Sequence, residues 1–169
     1  LLKRRQFMQT LFQYNWMIRD EWFEWCKEVP LEELLTVRTG GVGGILHTLF
    51  HIIDAEWSWI RIMKGYPDFQ ESFSEYQSLE KVMELNDLFK EEVNDFVLNW
   101  ENEFEHNFLQ ETRADGAVIT LAWGEIMLHV IAHEIHHIGQ LSIWSRELGK
   151  PPISANLIRK GLDVHLPSS

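Results

Sequence analysis

Four long stretches of the chain repeat apolar residues every three and four positions, which is the period of an amphipathic helix. The first covers residues 2–28 and ends before Pro30, because proline cannot continue a helix. Its predicted buried stripe consists of Phe7, Leu11, Tyr14, Ile18 and Trp22.

The next two stretches follow loops rich in glycine and polar residues. A glycine-rich loop, Thr39-Gly40-Gly41-Val42-Gly43-Gly44, precedes a second helix predicted over residues 45–64. Gly65 and Pro67 end that helix. Ser78 is a suitable N-cap for a third helix, predicted over residues 78–105. Its apolar stripe consists of Val82, Leu85, Phe89, Val93, Phe96 and Trp100.

A fourth helix is predicted over residues 120–148, with Thr120 as its cap and Gly149 as its stop. No stretch shows the sustained alternation that is typical of a strand. Four helices can cover their apolar faces only by packing against one another, so an all-α four-helix bundle is expected, with residues 1–169 as one domain. The connections of about a dozen residues leave room for a topology other than up-down-up-down.

The net charge of the chain argues against some classes of binding partner. The chain has 15 basic and 26 acidic residues, a formal net charge of −11. Nucleic acids and anionic membranes bind clustered positive charge, so we expect neither as a partner. There is no run of about 20 apolar residues that would span a membrane. Cys26 is the single cysteine, so no intrachain disulfide can form, which is compatible with a cytoplasmic location.

The eight histidines are distributed unevenly along the chain. Only His106 and His165 lie outside the second and fourth predicted helices. The other six are His47, His51, His129, His133, His136 and His137. A single histidine on an apolar helix face is usually a core or rim residue, but this clustering favours a metal site over a purely structural role.

Positions four apart lie above one another on a helix, so His133 and His137 point two imidazoles the same way. His129 continues the column but lies too far along it to share one ion with both. His136 lies about 100° around the helix from His137 and is expected to face a neighbouring helix or solvent.

The third ligand is expected from the second helix. His51 is the better candidate because Asp54 and Glu56 follow it closely, and a carboxylate can orient an imidazole by accepting its second N–H. His47, one turn away, could substitute for His51 or line the mouth of the site. Trp57 and Trp59 point about 200° apart, so at most one of them can face a metal.

The chain resembles the DinB/YfiT-like superfamily of bacterial metal-binding four-helix proteins along essentially its whole length. It looks closest to the DinB proteins of Bacillus-type bacteria, which are unrelated to the DNA polymerase of the same name. Three motifs carry the resemblance: Tyr14-Asn15-Trp16, the segment His51-Ile-Ile-Asp54-Ala-Glu56, and the segment His133-Glu134-Ile-His136-His137-Ile-Gly139-Gln140.

The resemblance implies a metal held by one histidine of the second helix and an HxxxH pair of the fourth. These positions match His51, His133 and His137, the residues already selected by spacing. It also implies zinc or nickel as the metal and a homodimer as the assembly. Relatives of this fold include thiol-dependent transferases, which use bacillithiol, mycothiol or glutathione, and proteins that look like metal hydrolases.

Two functions are therefore expected. The first is metal-dependent transfer of a low-molecular-weight thiol to an electrophile, or metal-dependent hydrolysis, with Glu134 and Asp54 as candidate acid/base or ligand-orienting groups. The second is a stress-response metal-binding protein without turnover. No basic cluster suited to a thiol's carboxylates stands beside the histidines, although Arg38, Arg61 and Arg146 are available.

Overall fold

A computed structural model of the protein describes residues 2–69, 71–112, 115–158 and 160–162. The ends of the predicted domain, residue 1 and residues 163–169, lie outside the described residues. Its helices are α1 (Leu2–Cys26), α2 (Leu31–Leu35), α3 (Ile45–Met63), α4 (Leu79–Leu98) and α5 (Trp123–Glu147). Short 3-10 helices lie at Phe73–Glu75 and Asn102–His106, and two strands are β1 (Phe108–Thr112) and β2 (Val118–Ala122).

The four long helices form the predicted bundle. Helix α3 packs against α4 and α5, and α1 packs against the same two helices. Helices α1 and α3 are therefore diagonally opposed, although they are the first two long helices in the chain. This arrangement differs from a bundle in which consecutive helices are neighbours. Its consequence for the site is that α3 and α5, which carry six of the histidines, lie side by side.

Local chemistry accounts for the helix ends. Ser78 caps α4 as predicted, its side chain accepting a hydrogen bond from the backbone N–H of Lys81. Gly149 follows α5 with a φ of +69°, a conformation that favours glycine after a helix. Of the predicted α1 stripe, Tyr14, Ile18 and Trp22 are buried, whereas Phe7 is 55% exposed and lies outside the core, contrary to expectation.

The expectation that no strand would form is wrong. Strands β1 and β2 pair in an antiparallel hairpin, with Gln110 opposite Thr120. Thr120 therefore lies in a strand, and α5 begins three residues later than predicted, at Trp123. The β-branched run that starts at Val118, preceded by the turn residues Asp115-Gly116, is the sequence pattern that indicates this hairpin.

The third predicted helix is also shorter than expected. Helix α4 ends at Leu98 rather than near residue 105. Trp100 then turns into the core, where it is only 1% exposed and packs edge-on against Phe96 and Phe104. Burial of this large ring in a tertiary cluster outweighs the helical period that continues through it. In the part of the chain that the structure describes, no helix is long and apolar enough to cross a membrane.

Candidate metal centre

Packing of α3 against α5 brings His51, His133 and His137 together. Nε2 of His133 lies 3.1 Å from Nε2 of His51 and 3.2 Å from Nε2 of His137. The three candidate ligand atoms all lie within 4.8 Å of one another. His137 is buried, and the other two side chains are half-buried. The structure thus brings together the HxxxH pair selected by spacing and His51, the candidate preferred on the second predicted helix.

The distances between these nitrogens fit one small divalent ion. Two imidazole nitrogens at about 2.0–2.1 Å from a tetrahedral zinc ion are about 3.3–3.4 Å apart. The observed separations of 3.1 and 3.2 Å are close to that requirement. Imidazole nitrogen is also a donor that zinc and nickel accept well. The cluster can therefore hold a metal ion with little rearrangement.

Gln140 orients one of the three imidazoles. Its Oε1 lies 2.7 Å from Nδ1 of His137, and its Nε2 lies 3.1 Å from Nε2 of His136. When the amide oxygen accepts from Nδ1–H of His137, Nε2 of His137 carries the free lone pair and points toward His133. The tautomer needed for metal binding is the one that this hydrogen bond favours.

Burial keeps the cluster neutral. It lowers the pKa of His51 to about 4, with smaller contributions from His137 and His47. It also lowers the pKa of His133 to about 4, aided by the neighbouring histidines. The pKa of His137 is lowered for the same reason, against an opposing effect of the Gln140 hydrogen bond. Neutral imidazoles are the form that binds a metal, and these side chains keep it well below pH 7.

The remaining histidines surround the cluster. The ring of His47 stacks on Phe73 at 4.2 Å between centroids, so it packs against an aromatic ring. The ring centroid of His129 lies 5.8 Å from that of His133, and the ring packs edge-on against Trp59. His136 is exposed, as predicted. His106 belongs to the 3-10 helix Asn102–His106, and His165 lies outside the described residues.

The carboxylates proposed from sequence have other partners. Asp54 accepts a hydrogen bond from Ser58 Oγ at 3.2 Å. Glu134 lies in the protein interior and accepts two hydrogen bonds from Arg19, at 2.6 and 2.9 Å. The structure therefore places neither among the contacts that orient the three imidazoles, and a role for either in acid/base chemistry stays a prediction. The contact that orients an imidazole comes instead from the amide of Gln140, and it acts on His137 rather than on His51.

Arg19 is a residue that sequence reasoning missed. Its side chain is 1% exposed and joins three other helices. Besides Glu134 on α5, it donates to Glu56 on α3 at 3.0 Å and to Asn86 on α4 at 3.1 Å. The other oxygen of Glu56 accepts from Trp16 Nε1 at 2.9 Å. The sequence indicated this network in one way: Arg19 stands next to the apolar stripe of α1. A charged residue buried there would need a partner of opposite charge.

This network contains one cation between two buried carboxylates. Burial by itself lowers the pKa of Arg19, but Glu134 and Glu56 more than offset this and raise it above its ordinary value. Burial raises the pKa of Glu134, against the opposing effect of Arg19. Glu56 and Glu134 stand on the two helices that carry the histidines. Arg19 therefore ties those helices together from the side of α1.

The three arginines considered for substrate carboxylates form other contacts. Arg38 pairs with Glu33 at 2.9 Å, and Arg61 pairs with Glu92 at 3.3 Å. Arg146 donates to the backbone oxygen of Ser142 on its own helix. These guanidinium groups are therefore engaged in partly buried ion pairs and a helix contact rather than at the histidine cluster.

A cavity of about 230 Å³ lies beside His129. Its lining consists of Trp59, Leu121, Glu125, Ile126 and His129. Trp57, by contrast, stacks on Phe89 at 3.9 Å, so Trp59 is the tryptophan of that pair on the histidine side. The cavity is mostly apolar with one carboxylate and lies one helical turn from His133.

Comparison with known proteins identifies the family of this chain. The family model described as DinB family matches residues 5–161. The chain belongs to the DinB family. It is 46% identical to the Bacillus subtilis protein named uncharacterized protein YizA over 155 residues, which is 92% of this chain and 96% of the relative. It is 23% identical to B. subtilis Protein DinB over 149 residues, 85% of this chain and 87% of the relative. The family assignment made from the three motifs is confirmed.

Proposed function

We propose that this DinB-family protein binds one divalent metal ion, zinc or nickel, through His51, His133 and His137. The convergence of three imidazoles carries the proposal: Nε2 of His133 lies 3.1 and 3.2 Å from Nε2 of the other two, and all three candidate ligand atoms lie within 4.8 Å of one another. Without a metal, one Nε2–H can donate to only one neighbouring Nε2, whereas a shared cation would satisfy all three lone pairs. Three protein ligands on a four-coordinate ion leave one position for an exogenous group, as in catalytic rather than structural zinc sites.

We further propose that the centre serves transfer of a low-molecular-weight thiol, of the bacillithiol type, to an electrophile. A bound ion supplies Lewis acidity that deprotonates a thiol or, in a hydrolase, a water molecule at the open position. The chain's own thiol is unsuitable as the nucleophile, because Cys26 is buried and burial raises its pKa to about 12. The sulfur must therefore come from a second molecule.

The cavity beside His129 suits the electrophile. Its apolar walls include Trp59 and Ile126, and its size fits a small aromatic or aliphatic compound. In the transfer, the thiolate sulfur forms a bond to the electrophilic carbon, and the leaving group departs with the electron pair of the broken bond. The thiol proton passes to buffer. Low-molecular-weight thiols stay reduced in the cytoplasm, which is the location that we propose.

A binding protein without turnover is the second candidate, and the contacts of Glu134 favour it. This carboxylate, adjacent in sequence to His133, is held by Arg19 and lies 1% exposed. Glu134 is therefore engaged by Arg19, which supports a site without turnover. In this function the metal would signal or stabilise rather than react.

Two measurements test these proposals in order. Elemental analysis of protein purified without added metal should give close to one zinc or nickel per chain, and His137→Ala should lose it. Absence of stoichiometric metal would overturn the metal site itself. The loaded protein is then mixed with bacillithiol and monochlorobimane. A conjugation rate that exceeds both the metal-free protein and His137→Ala supports transfer, and no excess supports the binding protein.

We also propose that the protein forms a homodimer through the outer face of α5. Leu128, Ile135 and Ile143 are exposed at spacings of seven and eight, which places them on one stripe. Gly139 lies between them, and a Cβ added there would meet nothing within 4 Å. An exposed apolar stripe with a glycine at its centre allows a second helix to approach closely.

A further inference from the structure

The glycine-rich loop at residues 39–44 packs directly on the side chain of Gln140. A Cβ built on Gly41 would lie 2.3 Å from Oε1 of Gln140 and 2.9 Å from its Cδ. Gly41 also has a φ of +53°, where residues other than glycine carry a modest strain. The backbone of Gly41 thus lies directly against the Gln140 amide. A larger residue at this position would displace that amide.

The loop itself is held in place by hydrogen bonds on both sides of Gly41. The backbone N–H of Gly43 donates to the oxygen of Gly40 at 3.1 Å, and that of Arg38 donates to the oxygen of Gly43 at 2.7 Å. Trp144 Nε1 on α5 donates to the oxygen of Thr39 at 3.2 Å. The loop is therefore hydrogen-bonded to the same helix that carries Gln140.

Gln140 is constrained at both ends of its amide as well. Oε1 faces Nδ1 of His137, and Nε2 faces Nε2 of His136. An amide turned over would present its NH₂ to Nδ1 of His137 and would favour the tautomer whose Nε2 carries a proton. That tautomer has no lone pair to offer a metal ion.

We propose that Gly41 and Gln140 are positioning residues for the metal centre: the loop confines the amide, and the amide holds His137 in its metal-binding tautomer and orientation. Neither residue is among the three histidines that would hold the ion. The inference rests on the proposed metal site, and it assigns a role to a loop that neither the ligand set nor the helical bundle explains.

Metal affinity of the full chain is the direct test, measured by Zn²⁺ competition with a chromophoric chelator. Gln140→Leu should weaken binding about 10–100-fold, the usual loss when a ligand's hydrogen-bond partner is removed. Gln140→Glu should bind within about threefold of the wild type or tighter, because a carboxylate oxygen accepts from the same Nδ1–H. The visible absorption of the Co²⁺-loaded protein should change in the Leu variant and be retained in the Glu variant.

The chain offers a matched control for the loop. Gly40 has a φ of +96°, and a Cβ there would meet nothing within 4 Å. Gly40→Ala therefore imposes backbone strain in the same loop without touching Gln140. We expect Gly41→Ala to weaken Zn²⁺ binding roughly tenfold, as a displaced ligand partner does, and Gly40→Ala to stay within about twofold of the wild type. In a Gln140→Leu background, Gly41→Ala should add no further loss, because both changes act on one contact.

Each outcome bears on a different statement. Wild-type protein that binds neither Zn²⁺ nor Ni²⁺ would overturn the proposed metal site. Wild-type binding with unchanged affinity and Co²⁺ spectrum in folded Gln140→Leu would overturn the positioning role alone. Equal losses in Gly40→Ala and Gly41→Ala would attribute the effect to loop strain. Far-UV circular dichroism of each variant establishes that it is folded, and Gln140→Glu tests the amide even if Gln140→Leu unfolds.

Discussion

Replacing Arg19 by methionine should destabilise the protein, because Arg19 joins α1 to the two helices that carry the histidines through a buried ion-pair network. Arg19 lies 2.6 Å from a Glu134 oxygen and 3.0 Å from a Glu56 oxygen, and both carboxylates are nearly inaccessible to solvent. Methionine fills much of the volume but leaves two buried carboxylates without their cation. Removing one partner of a buried ion pair costs about 3–5 kcal/mol.

Protonation of a buried carboxylate limits that loss of stability and makes the loss depend on pH. Burial raises the folded-state pKa of Glu134 to about 7 in the wild type, against the opposing effect of Arg19. In Arg19→Met the pKa of Glu134 is raised further, and each further unit costs about 1.36 kcal/mol at pH values where the wild type is ionised. A raised folded pKa favours the folded state fully below the ordinary value and loses that contribution as pH rises. Both proteins keep Glu134 largely protonated below pH 7, so the deficit of Arg19→Met should grow from pH 7 to pH 9.

Urea unfolding followed by tryptophan fluorescence measures this deficit. We expect a loss of about 3–5 kcal/mol in the free energy of unfolding at pH 9, where the wild-type Glu134 is ionised, and clearly less at pH 6. Arg38→Met is the matched control, since Arg38 pairs with the more exposed Glu33 and Glu147, and it should cost about 1 kcal/mol or less. The triple change Arg19→Met, Glu56→Gln, Glu134→Gln should recover much of the loss. A pH-independent deficit, or one below about 1 kcal/mol at pH 9, would refute this electrostatic account.

Three further predictions concern the histidines and the surface of α5. His133→Ala should abolish binding at micromolar metal, because two imidazoles hold an ion poorly, whereas exposed His136→Ala should change affinity less than about threefold; equal losses in a titration would show that the wrong helix face was chosen. The metal-free protein should lose stability as pH falls from 6.5 toward 4, because the depressed folded pKa values of His51 and His133 make the unfolded state bind more protons in that window; a flat urea profile there would contradict these values. Ile135→Glu should convert a dimer to a monomer in sedimentation velocity, and an unchanged mass would remove the α5 stripe as the interface.

Much of the fold could be predicted because helices are local. The period of apolar residues located all four long helices, and Ser78 and Gly149 marked ends that the structure shows. The errors fall where contacts outside the helix itself decide the structure. Trp100 leaves the helical path to pack with Phe104, and Thr120 pairs with a strand ten residues away.

The candidate site divides in the same way. The sequence by itself determined that His133 and His137 share a helix face, because a spacing of four residues fixes their direction within one helix. Only the tertiary structure decided that His51 rather than His47 completes the cluster, since the rotation of α3 against α5 depends on packing across the whole interface. It alone also joined Gly41 to Gln140 and Arg19 to Glu134, contacts between residues about 100 positions apart. The ligands follow from the period of one helix, whereas the groups that hold those ligands in place follow from how the helices pack.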